Sequence, residues 1–192
     1  MRRIGGIILA AGGSTRLGEP KQLLTSNGET LVHAAVRAAQ DGGCDIVCVV
    51  TGHEREAVEN AVADLHPLLV HNENWQRGMG RSLRLGLNAI HSASAVVVLA
   101  CDQPAVNRDV IRGLVEQQAQ TGSAIVASSY AGTLGIPALF DQSCFAELQA
   151  LPDDRGAKAV IKADAGRVTT YSFEDGVLDL DTLEDVMTWR AR

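Results

Sequence analysis

Five short runs of apolar, largely β-branched residues set the strongest constraint on how this chain folds: IGGIILA (4–10), DIVCVVT (45–51), LLVH (68–71), AVVVLA (95–100) and AIVAS (124–128). Most lack the polar alternation of a half-exposed strand, so they predict strands covered on both faces, as in a parallel sheet. Between them LVHAAVRAAQ (31–40), EREAVENAVADL (54–65), SLRLGLNAI (82–90) and DVIRGLVEQQAQ (109–120) space apolar residues three and four apart. That spacing predicts helices with one apolar face, and Gly42 and Gly122 are natural stops. Strands alternating with helices predict an α/β fold, a three-layer α/β/α sandwich with a mostly parallel sheet. The last third is less regular, with LGIPALF (134–140), two short helical candidates, the strand RVTTYSF (167–173) and a final helix opening near Thr182.

At 192 residues and 46% hydrophobic content the chain is long enough for one domain, residues 1–192, with a substantial core. No repeat or linker divides it. With 23 acidic and 17 basic residues the net charge is −6, so no nucleic acid and no membrane surface is expected as a partner. An anionic ligand must be held by local groups. Cys44, Cys48, Cys101 and Cys144 form no CxxC pair, and at least three sit in or beside apolar segments, which suits small buried hydrophobes better than zinc or a disulfide. The opening MRRIGGIILAAGG has the outline of a signal peptide, but its apolar stretch is short and runs into a loop with Arg16, Glu19 and Lys21. A buried first strand and a cytoplasmic protein without a membrane span are the expectation. The five histidines show no metal-ligand spacing, and no Ser-His-Asp order or activated thiol suggests covalent catalysis.

In open α/β sheets, ligands bind beyond the carboxyl ends of the strands. The loop after the first run, within LAAGGSTRLGEPKQLL (9–24), is placed for that. Gly12 and Gly13 let backbone N–H groups approach a polyphosphate, while Arg16 and Lys21 offer a fork and a point charge. A P-loop would need Lys-Ser or Lys-Thr after Gly18, where Glu19 and Pro20 stand, and Gly12-Gly13-Ser14 breaks the GxGxxG fingerprint. Taken alone, these residues would equally serve as a solvated surface turn.

The whole segment resembles the signature loop LAAGxSxRxGxxKxLL of nucleotidyltransferases that share the fold of the molybdenum cofactor guanylyl- and cytidylyltransferases. Leu9, Ala10, Ala11, Gly12, Ser14, Arg16, Gly18, Lys21, Leu23 and Leu24 occupy its fixed positions. The resemblance implies a Rossmann-like nucleotidyltransferase fold in which the turn from Leu9 through Gly13 to Ser14 meets the base and triphosphate. It also implies that Arg16 and Lys21 hold phosphates. LAAG, in place of the LAGG typical of guanylyl-transferring relatives, favours CTP, because the Ala11 methyl crowds a purine. One methyl discriminates by about 1–3 kcal/mol.

AVVVLACDQPAV (95–106) sets Asp102 just past a buried strand, where it would serve as a turn former or as a ligand. Similarity to the family's D-x-P element implies that Asp102 binds Mg2+, which accepts one or two carboxylates completed by phosphate oxygens and water. LDLDTLEDV (178–186) is similar to the family's D-I-D-T-P-E-D-L, with Leu183 in place of proline. Asp179 and Asp181 would share a face on a strand. Asp181 is favoured for the metal, although Asp181 or Thr182 would equally cap the final helix.

NWQRGMGRSLRLGL (74–87) resembles the G-x-x-x-S-[LV]-x-x-G-[LI] element that implies nucleoside contact at Gly78 and Ser82; Ser82 also suits the first turn of a helix. GIPALF (135–140) and DDRGAK (153–158) match segments implied to line the acceptor side, through Gly135, Pro137, Gly156 and Lys158. Lys158 stands for an arginine and loses its bidentate fork.

The reading is a Mg2+-dependent nucleotidyltransferase that joins a nucleoside monophosphate to a molybdopterin-type acceptor and releases pyrophosphate. A molybdenum hydroxylase would receive the product. The alternatives are a sugar- or polyol-phosphate nucleotidyltransferase and a non-catalytic molybdenum cofactor carrier.

Overall fold

The computed structural model describes residues 3–191. Its strands are β1 (Ile4–Ala10), the short pair β2 (Thr25–Ser26) and β3 (Glu29–Thr30), β4 (Ile46–Thr51), β5 (Leu68–His71), β6 (Ala95–Ala100), β7 (Ile125–Tyr130), β8 (Thr133–Asp141) and β9 (Val168–Ser172). Its α-helices are α1 (Leu31–Asp41), α2 (Arg55–Asn60), α3 (Met79–Ala89), α4 (Arg108–Thr121), α5 (Phe145–Gln149), α6 (Lys158–Ala163) and α7 (Leu183–Arg190).

Seven strands form one sheet in the order β5-β4-β1-β6-β8-β7-β9. All run parallel except β8, which is antiparallel to both β6 and β7. Every residue of β1 and of β6 is buried, as their unbroken apolar sequences demand. Ile4, Ile8 and Ala10 of β1 join one core with residues of α1 and α4, while Ile7 and Leu9 join a second core with α3, α5 and α6 on the opposite face. The three-layer sandwich is therefore as expected.

The register Leu9↔Ala100 and Ala10↔Thr51 ends β1, β4 and β6 at one level. The loops that leave this edge carry the site. A third, smaller cluster of Leu17, Leu24, Leu31, Leu180 and Val186 lies under them and ties the loop after β1 to the segment before α7 and to α7 itself.

Two elements differ from the sequence expectation, and the less regular stretch 134–140 takes a definite form. The run 54–65 is not one helix: α2 ends at Asn60, and a 3-10 turn, Ala63–Leu65, follows with His66 at φ 51°. Helix α3 starts at Met79, ahead of Ser82, because Gly78 at φ 128° turns the chain directly into it. LGIPALF is the antiparallel strand β8, reached from β7 through a two-residue turn with Ala131 and Gly132 both at positive φ.

His33, at the start of α1, ties three elements together. Its Nδ1 lies 2.6 Å from Glu29 Oε1 and its Nε2 3.1 Å from Asp64 Oδ2, and Arg37 binds the second oxygen of Glu29 at 2.5 Å. Burial opposes charging of the imidazole, and the hydrogen bonds to Glu29 and Asp64 outweigh it, so the pKa of His33 is raised above its ordinary 6.5. A raised folded-state pKa stabilises the fold fully below the unfolded value, and the effect disappears as pH rises through the folded value. We therefore predict that His33→Gln lowers Tm more at pH 5.5 than at pH 9; equal losses at both would refute the charged pairing.

Candidate active site

The loop after β1 is built around two polar side chains. Ser14, at φ 49°, accepts the N–H groups of Leu17 (3.0 Å) and Gly18 (3.1 Å) on its carbonyl and that of Lys21 (3.0 Å) on its hydroxyl. Gln22 is 1% exposed and donates its amide to the carbonyls of Ala10 (3.0 Å) and Gly12 (2.6 Å). These carbonyls are thereby turned inward. Among the described residues the N–H groups of Gly12, Gly13, Ser14, Thr15 and Arg16 donate to nothing. Such a run of free N–H groups in a glycine-rich turn has the donors that an anion-binding nest requires.

Just past β6, Asp102 receives the ammonium of Lys21 at 2.6 Å. The same Nζ lies 3.0 Å from Asp181 Oδ1, and Arg16 binds the other oxygen of Asp181 at 2.7 Å. Three separate parts of the chain thus meet on one lysine. Burial opposes charging of Lys21, but Asp102 and then Asp181 outweigh it and hold its pKa above the usual lysine range. Asp181 moves the other way: desolvation would raise its pKa, and Lys21 followed by Arg16 brings it below the carboxylate range.

The segment 178–181 is not a strand, contrary to the shared-face expectation for Asp179 and Asp181. Leu180 is buried between them, and its N–H donates to the Asp102 carbonyl at 2.9 Å. Asp181 reaches Lys21 and Asp179 does not. Asp179 is exposed as a residue, yet desolvation of its carboxyl and then the like charges of Asp102 and Asp181 push its pKa up to about 6.

Leu9, Ala11, Gly12, Lys21, Gly78, Ser82 and Asp102 line a cleft of about 310 Å³. Ala10, Gly13, Ser14, Arg16, Asp179 and Asp181 lie outside that lining. Ala10 packs in the core, and Gly13 lies against the Trp75 indole so closely that a Cβ there would meet its ring carbon at 2.6 Å. Ser82 accepts a hydrogen bond from the buried Asn72 amide at 2.9 Å. The four acceptor-side candidates do not line this cleft: Gly135 and Pro137 are buried in β8 beside Tyr130 and Ser128, Gly156 abuts Met79, and Lys158 is exposed at the start of α6. A larger cleft of about 730 Å³, between the β2–β3 hairpin, α1 and the start of α4, contains none of the candidate residues.

Sequence reasoning missed Gln22, Asn72, Trp75 and Gln103. Gln22 alone had a signal, as a polar residue between Lys21 and an apolar pair, whereas the buried state of Asn72 and Gln103 follows only from tertiary packing. Gln103 donates to the Gly176 carbonyl at 3.2 Å, while its Oε1 has no partner among the described residues.

Asp102 and Asp181 present two hard oxygens to one cation, a donor set that suits Mg2+ or Mn2+ when phosphate oxygens and water complete the sphere. Among the described residues no group of three or more His, Cys, Asp or Glu converges as a ligand set. Triphosphate chemistry needs donors for the leaving phosphates within reach of such oxygens, and both stand at the carboxyl edge of this sheet. The protein is a nucleotidyltransferase of the Rossmann-like α/β class.

It belongs to the family of the MobA-like NTP transferase domain, which matches residues 6–168. The purine catabolism protein PucB of Bacillus subtilis is 29% identical over 193 residues, 94% of this chain and 92% of that protein. The nicotine blue oxidoreductase of Paenarthrobacter nicotinovorans is 41% identical over 106 residues, 54% of this chain and 52% of its own length. The crystal structure of Rv0371c from Mycobacterium tuberculosis superposes with a TM-score of 0.87 at 31% identity over 99% of both chains. A further structure of Rv0371c is a manganese complex, with a TM-score of 0.80 and 29% identity over 97% of both chains. Among the described residues no helix is long and apolar enough to cross a membrane.

Replacing the Gln22 amide leaves the buried Ala10 carbonyl without this donor, at about 1–3 kcal/mol, and frees the partly buried Gly12 carbonyl. Gln22→Met should therefore lower the free energy of unfolding in urea by at least that amount for one carbonyl and weaken nucleotide binding. Unchanged stability with unchanged nucleotide affinity would remove Gln22 from the loop's architecture.

Proposed function

We propose that this nucleotidyltransferase moves CMP from CTP onto the phosphate of a molybdopterin-type acceptor and releases pyrophosphate. The observation that carries the reading is Lys21 held between Asp102 and Asp181 beside a loop with free N–H groups. An oxygen of the acceptor phosphate forms the new bond to the α-phosphorus of the nucleotide. The bond from that phosphorus to the bridging oxygen of the β-phosphate breaks, and its electron pair leaves on pyrophosphate. The free N–H groups of residues 12–16, with Arg16 and Lys21, neutralise the β- and γ-phosphates as charge builds there. An acceptor phosphate is already ionised near neutral pH, so the absence of a general base from the proposed roles is no obstacle.

Asp102 and Asp181 would hold Mg2+, which would supply Lewis acidity and a template for phosphate oxygens. The manganese complex of Rv0371c supports use of a divalent ion in this family. For the base, Ala11 is among the residues that line the cleft, and alanine in place of glycine there favours a pyrimidine over the larger purine. Family membership supports the acceptor class, and a molybdenum hydroxylase is the proposed recipient of the product. The acceptor would enter past Gly78, Met79 and Gly156, on the side of the cleft away from the loop's cations.

The test is pyrophosphate release from CTP, GTP, ATP and UTP in turn, with Mg2+ and molybdopterin or its molybdenum-loaded form. Pterin-dependent release selective for CTP is expected, and Lys21→Ala should lower turnover by roughly 10²-fold at saturating substrates. Selectivity for GTP would discard the role of Ala11. Release that requires a sugar or polyol phosphate, or no release at all, would overturn the pterin reading.

A further inference from the structure

We propose that Lys21 is the resident counter-ion of the metal site, so that a divalent cation binds tightly only together with the triphosphate that draws Lys21 away. The inference rests on the nucleotidyltransferase reading and extends it to the order in which ligands bind.

The geometry leaves no room for both cations. Nζ stands 2.6 Å from Asp102 Oδ2 and 3.0 Å from Asp181 Oδ1, while a divalent ion bound by those oxygens would sit about 2.0–2.3 Å from each. Ion and ammonium would be forced close together, and in this setting little solvent screens them, since the Lys21 and Asp102 side chains are 17% and 19% exposed. Arg16 completes the cover by holding the second oxygen of Asp181. A free metal ion that takes these same oxygens must therefore displace an ammonium already paired with both carboxylates.

A triphosphate removes that obstacle. Its oxygens give Lys21 and Arg16 equivalent partners a short distance away, in the loop whose N–H groups at residues 12–16 are free. Arg16, 69% exposed on its side chain, swings with little loss of packing. Once the cations turn to the phosphates, Asp102 and Asp181 become unpaired carboxylates next to phosphate oxygens, the donor set that a hard divalent ion prefers. By linkage the nucleotide must tighten metal binding by the same factor by which metal tightens nucleotide binding.

The experiment is Mn2+ binding to the full chain, followed by electron paramagnetic resonance of free Mn2+, with and without α,β-methylene-CTP. In wild type the analogue should tighten Mn2+ binding at least about tenfold. Without nucleotide, Lys21→Met should bind Mn2+ at least about tenfold more tightly than wild type, because its carboxylates have lost their counter-ion. Lys21→Arg, which keeps a cation there, should stay close to wild type. Lys158→Met removes an exposed cation outside the cleft lining and reports any general field effect. A folded Lys21→Met with wild-type Mn2+ affinity, or a gain matched by Lys158→Met, would overturn the counter-ion role while leaving the nucleotidyltransferase reading intact. Failure of wild type to bind the analogue with any divalent ion would overturn both.

Discussion

The site depends on β1 running parallel to both of its neighbours with both of its faces covered. Parallel pairing with β4 and β6 brings the ends of three strands to one level, at Ala10, Thr51 and Ala100. Every loop that leaves this level begins among its neighbours. Asp102 needs only two residues to pass from the core into reach of the loop after β1. Asp181 arrives by a longer route, but the Leu180 N–H fixes it to the Asp102 carbonyl, and buried Leu180 and Val186 anchor its flanks.

Such a loop poses a problem that its glycines do not solve alone. A chain leaving a buried strand carries carbonyls as well as N–H groups, and carbonyls facing an anion would repel it. Gln22 takes the carbonyls of Ala10 and Gly12, and the His53 N–H takes that of Ala11 at 3.1 Å. What the turn at residues 12–16 leaves unpaired is largely donors. The two cations nearby are then free to pair with carboxylates, and these pairs give the short 3-10 turn of Lys21–Leu23 a defined position.

The long apolar runs were legible because burial on both faces leaves no alternative reading. β1 and β6 have the expected limits, and α1 and α4 differ from expectation by a residue or so. Where local pattern and tertiary packing diverge, the sequence was a poorer guide. The run 54–65 has helical spacing throughout, yet Val62 leaves helical geometry at φ −123° so that Leu65 can pack beside the first core. In the site, Arg16, Lys21, Asp102 and Asp181 were readable as charges at places that need a reason. Gln22, Asn72 and Gln103 were not, because a buried amide looks like a surface amide until its partners are known.

The segments 77–84 and 151–156 follow a different logic from the loop after β1. Two glycines, Gly78 and Gly80, lie closely against the backbone of residues 152–155. The Gly80 N–H donates to the Asp153 carbonyl at 2.9 Å, and a Cβ at Gly80 would lie 2.1 Å from the Pro152 oxygen. Arg77 at 2.7 Å and Arg84 both hold the Asp153 carboxylate, and Arg84 also donates to the Leu151 carbonyl. The segments 77–84 and 151–156 are therefore one wall, with Met79 packed on Gly156 and projecting into the cleft. In that wall Arg77 and Arg84 are consumed in holding the two segments together.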